Sequence, residues 1–110
     1  MTVYVNESST LTVQTRFYSQ SNDPLAPNTA RYLIRDVTND RVVRDWTTLV
    51  PAATVDIQIA ASDNDLHSPT RRQKRFEERV LTVQANVGEI TQYTDEFKYW
   101  VRNLAGVEND

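Results

Sequence analysis

The chain has 110 residues, 39% hydrophobic and 25% charged, with a net charge of −3, which fits one ordinary domain and lies outside the composition of disordered chains. Two glycines, four prolines and no cysteine exclude a glycine-rich phosphate cradle, a flexible linker, a disulfide framework and a thiolate metal site. The acidic balance argues against a surface that condenses as a whole on nucleic acid, and no apolar run approaches the roughly 20 residues needed to span a bilayer.

Met1 is followed by polar and β-branched residues, without the basic and apolar regions of an export signal. A soluble protein made in a reducing cytoplasm is expected, with residues 1–110 as a single domain. Residues 1–9 are apolar only at Val3, Tyr4 and Val5, and read as either an edge strand of that domain or an arm reaching to a neighbour. From Thr10 to Ser19 the pattern alternates, with Leu11, Val13, Thr15 and Phe17 on one side and Thr12, Gln14, Arg16 and Tyr18 on the other, which is a half-buried strand. Ser21, Asn22, Asp23, Pro24 and Pro27 then break it. A second strand covers Ala30 to Val37, with Tyr32 and Ile34 on one face and Leu33, Arg35 and Val37 on the other. Thr38-Asn39-Asp40-Arg41 is a turn, because Asn and Asp tolerate left-handed backbone, and Val42 to Trp46 returns as the partner strand. After Pro51, Val55, Ile57 and Ile59 alternate with Asp56 and Gln58, which assigns an inner face.

No period survives from Ser62 to about Lys74. A stretch of that length without pattern is uncommon in a compact domain unless it has a task, so it is a candidate contact loop. Two alternating runs follow, Glu78 to Val87 and Thr94 to Leu104, joined through Gly88 as a β-hairpin. Arg79, Leu81, Val83, Ala85 and Val87 on the first would meet Phe97, Tyr99 and Val101 on the second. Thr94-Asp95-Glu96 could also cap a helix that ends at Gly106, and Arg71 to Glu78 could begin as a helical turn. The strand reading is preferred at the C-terminal run, because Phe, Tyr, Trp and Val in close succession favour the pleated state. Six or seven strands with no helical crossover point to an all-β fold, a single antiparallel β-sandwich. Trp46, two tyrosines and the branched aliphatics would fill its interior.

No motif carries catalysis, and neither a cofactor nor a metal is expected. His67, the single histidine, sits in Asp63-Asn64-Asp65-Leu66-His67-Ser68-Pro69. A Ser/His/Asp mechanism needs a positioned nucleophile and an oxyanion site, and three letters in one loop supply neither. Asp63 and Asp65 resemble the opening of a calcium loop, but with Asp65 first, Thr70 and Phe76 stand where glycine and glutamate belong. Glu77 and Glu78 are neighbours on a strand and face opposite sides, the wrong arrangement for shared acid and base work. The basic segment of Arg71, Arg72, Lys74, Arg75 and Arg79 reads first as a solvated loop entering a strand whose outer face is salt-bridged by Glu77 and Glu78. Docking to an acidic protein surface ranks second, and nucleic acid third, since only Phe76 lies among the charges.

The phrases Tyr32 to Asp36, Val42-Val43-Arg44-Asp45-Trp46, Leu49-Val50-Pro51-Ala52-Ala53 leading to Val55-Asp56-Ile57-Gln58-Ile59, Asn64, Glu78-Arg79-Val80-Leu81-Thr82-Val83 and Tyr99-Trp100-Val101-Arg102-Asn103-Leu104 together resemble small virion accessory proteins of tailed bacteriophages with an immunoglobulin-like β-sandwich. The likeness runs over roughly residues 30–107, through generic strand phrases. It implies a non-enzymatic part on the capsid surface, a decoration or cement protein bound to the major capsid protein as a small homo-oligomer, with neck or tail location as the alternative. A jelly roll is the alternative fold. His67, Arg71, Arg72, Lys74 and Arg75 are the interface residues expected on that basis, meeting acidic patches on the shell, with no nucleic acid or membrane partner. A recognition module for carbohydrate or receptor is the competing expectation, and Tyr18, Tyr93 and Trp100 exposed in one groove would favour it.

Overall fold

A computed structural model describes residues 3–19, 21–66, 76–102 and 104. Among these are seven strands: β1 (Tyr4–Asn6), β2 (Leu11–Arg16), β3 (Ala30–Asp36), β4 (Arg41–Leu49), β5 (Thr54–Ile59), β6 (Phe76–Ala85) and β7 (Tyr93–Arg102), with a single 3-10 turn at Ala61–Asn64. The fold is all-β. None of the described helical segments is long and apolar enough to cross a membrane.

Two sheets form, a larger one in the order β1-β7-β6-β3-β4 and a smaller one of β2 and β5. Their buried side chains make one cluster, in which Ile57 and Ile59 of β5 and Phe17 beyond β2 pack with Ile34, Leu81, Tyr99 and Val101 of the larger sheet. The alternation read from the sequence selects these residues, and each aliphatic removed from water contributes about 1.5–3 kcal/mol. The C-terminal run is a strand, paired with β6 through Glu78↔Trp100, Leu81↔Phe97 and Ala85↔Tyr93. At the β3–β4 turn Asp40 takes a positive φ of 51°, the backbone for which its short polar side chain suits it.

Three expectations need correction. The sheets are not purely antiparallel, since β1 lies at the edge of the larger sheet and runs parallel to β7, with Val5 beside Val101. Trp46 does not fill the interior. Between Tyr32↔Thr47 and Ile34↔Arg44 the register slips, so that Asp45 and Trp46 together oppose Leu33; the extra residue reverses the alternation and turns the indole outward. There it lies 37% exposed, with the Arg31 guanidinium 4.1 Å from its ring centroid. Val87 is also exposed, because the backbone leaves the sheet at Asn86, whose φ is 54°.

Candidate functional site

Parity along β6 places Glu77 and Arg79 on the inner face with Leu81, and cross-strand register sets Arg79 between Asp36 of β3 and Tyr99 of β7. All five side chains are fully buried. Arg79 NH1 donates to Glu77 Oε1 at 2.9 Å and stands 3.5 Å from Asp36 Oδ2. Its NH2 donates to the Asp65 carbonyl at 2.7 Å, while its Nε finds no hydrogen-bond acceptor among the described residues. A solvated face salt-bridged by Glu77 is therefore wrong for that residue: a carboxylate taken out of water needs a close cation, and Arg79 supplies one. Glu78, on the opposite face, is partly exposed.

A second set of bonds continues from this row. The Tyr99 hydroxyl donates to Asn64 Oδ1 at 2.9 Å, and Asn64 Nδ2 donates to the Ser9 carbonyl at 2.7 Å. Burial pushes the Tyr99 phenol well above the usual tyrosine range; Arg79 pulls it down, and Asp63 and Asp36 push it up. Arg44 bonds Asp63 through Nε at 2.5 Å and NH2 at 3.1 Å, a bond and an attraction that raise the Arg44 pKa. Asp65 Oδ1 accepts from the Ser8 hydroxyl at 2.7 Å. The two acids that resembled a calcium loop are thus each engaged by a partner in the chain. The network holds the N-terminal crossover and the 3-10 turn against the large sheet, and its chemistry is that of a clamp.

His67, Arg71, Arg72, Lys74 and Arg75 lie outside the described residues. The strand they lead into begins at Phe76, whose ring centroid is 5.2 Å from that of Tyr4. Tyr4 is 6.2 Å from Trp100, its cross-strand neighbour, and Arg102 lies 5.2 Å over the Tyr4 ring. Three aromatic rings and a guanidinium thus occupy one corner of the outer face of the larger sheet, with Tyr4 and Phe76 exposed.

At the other end of β7, the segment after β2 and the β6–β7 turn enclose a half-open groove of about 790 Å³, lined in part by Tyr18, Leu25, Ile90 and Tyr93. Phe17 forms its inner wall and meets Tyr93 edge to face at 6.3 Å. The Tyr93 hydroxyl donates to Asp95 Oδ2 at 3.1 Å, and burial, then this bond, raises its pKa. Tyr18 and Tyr93 therefore share the groove, whereas Trp100 belongs to the aromatic corner. Sequence reasoning missed Leu25 and Ile90, which sit in turns where no periodicity marks a face. It also left out Asp36, although Asp36 shares the parity of Tyr32 and Ile34. Comparison of the chain with family models, curated proteins and solved structures gives no match.

Proposed function

We propose that this chain is a non-enzymatic accessory protein of a tailed phage virion, built as an immunoglobulin-like sandwich, that binds the major capsid protein and decorates or stabilises the shell. The immunoglobulin-like reading draws support from strand order. In such sandwiches the second and fifth strands pair on one sheet while the third, sixth and seventh pair on the other, as β2 with β5 and β3 with β6 and β7 do here.

The observation that carries the binding role is the corner of Tyr4, Phe76, Trp100 and Arg102. Aromatic residues and arginine dominate the energetic centres of protein interfaces, and in sequence the basic segment ending at Arg75 directly precedes Phe76. A modest contact of this kind becomes durable when repeated over a lattice. The test is co-sedimentation of the purified protein with empty capsids. Charge reversal of Arg71, Arg72, Lys74 and Arg75, or Tyr4→Ala with Phe76→Ala, abolishes attachment; unchanged occupancy in both variants refutes the proposal.

A second reading, a module that binds carbohydrate or receptor, is favoured by the pairing of Tyr18 with Tyr93 in one groove. Titration with oligosaccharides, followed by tyrosine fluorescence, would respond to Tyr18→Ala under that reading and not under the first.

A further inference from the structure

The edges of the two sheets are finished differently. On β4 the register slips twice, the Trp46 N–H is taken by Asp45 Oδ1 at 2.7 Å, and the Thr47 hydroxyl donates to the Asp45 carbonyl at 2.9 Å. On β7, beyond the reach of β1, the outward N–H of Glu96 is taken by Asp95 Oδ1 at 2.8 Å. Bulges and charged side chains of this kind block pairing with a further strand. The β2 edge has no such device. It pairs with β5 without a slip, and the Phe17 N–H bond to the Ala53 carbonyl continues that ladder. The alternation of the ladder therefore turns the N–H and C=O of Thr12, Gln14 and Arg16 away from β5, and no backbone partner meets them among the described residues. Leu11 and Val13, facing the interior, are only partly covered.

We infer that β2 is a self-association edge, on which a second copy of this chain docks its own β2 antiparallel, joining the two small sheets into one of four strands. The occupant follows from self-complementarity. With a two-fold axis through Gln14, Gln14 of one copy faces Gln14 of the other, and each Arg16 faces a Thr12, so no like charges meet. On the inner side Val13 faces Thr15, and the apolar lining continues across the junction. The same operation through the middle of β5 would set Asp56 directly opposite its own copy, two like charges facing across the pair. This inference is independent of attachment to a capsid, which has a separate readout.

The absence of cysteine allows a clean test. Across a hydrogen-bonded antiparallel pair the Cα atoms lie about 5.5 Å apart, inside the range a disulfide bridges. Under mild oxidation the Gln14→Cys variant gives a covalent dimer, and the Asp56→Cys variant, also at an exposed position, does not. Sedimentation of the full chain shows a reversible dimer, and Gln14→Lys weakens it by about tenfold or more. A chain that stays monomeric up to about 1 mM, cross-linking at the β5 position instead, or a dimer unaffected by Gln14→Lys overturns the inference.

Discussion

Removing the guanidinium of Arg79 tests whether the buried charge row holds the sandwich together. In Arg79→Met, a side chain of similar length replaces the cation that bonds Glu77 at 2.9 Å and lies 3.5 Å from Asp36, both carboxylates being fully buried. The bond to the Asp65 carbonyl goes with it. Breaking a buried ion pair from one side costs about 3–5 kcal/mol, because the remaining charge stays out of water. That is a large share of the roughly 5–15 kcal/mol that holds a domain. Urea unfolding followed by tryptophan fluorescence and far-ultraviolet circular dichroism gives the magnitude. With a slope of about 2 kcal/mol per molar, the midpoint falls by about 2 M and the slope stays unchanged. The double variant Glu77→Leu with Arg79→Met recovers part of the loss, since an apolar pair removes one of the stranded charges together with its partner. A single variant within about 1 kcal/mol of the wild type, or a double variant worse than the single, refutes the view that the pair is coupled.

Alkaline pH acts on Tyr99. Its pKa is raised by burial, so the folded chain keeps a proton that the unfolded chain loses above about pH 10; stability is intact below that pH and falls by up to about 1.4 kcal/mol per pH unit above it. Denaturant titrations between pH 8 and pH 11 should show the fall in the wild type, and Tyr99→Phe should flatten it while lowering stability at neutral pH through loss of the bond to Asn64. A slope unchanged in the variant assigns the loss to another group. Opening the guarded edges should have the opposite consequence for solubility. Asp45→Ala combined with Asp95→Ala frees the N–H groups of Trp46 and Glu96, and light scattering on gentle warming rises faster than in the wild type; equal rates refute the guarding role.

Where side chains alternate without interruption, the fold was legible in the sequence. The inner residues of β2, β5 and β7 follow from parity alone, and the turn at Asp40 follows from residue chemistry. The interior placement of Trp46 failed because a bulge is a backbone event that leaves no periodic trace. The buried charge was half legible. Arg79 fell on the inward face with Leu81, yet its charge invited a solvated reading, because burial of Glu77 makes sense only once register brings Asp36, Arg79 and Tyr99 into one row. The aromatic corner joins Tyr4 to Trp100 across most of the chain, and the groove joins two turns; both depend on strand order, which no local pattern encodes.

The parallel pairing of β1 with β7 has a consequence for how the molecule is made. Glu7, just past β1, accepts the Leu104 N–H at 2.7 Å, a contact spanning 97 residues. β1 is synthesised well before β7 and must wait for it before it has a place to lie, so closure is the slow, late event of a chain dominated by distant contacts. Nascent chains stalled before β7 should remain open to protease throughout the strands that precede it, and resistance should arrive abruptly once β7 is released.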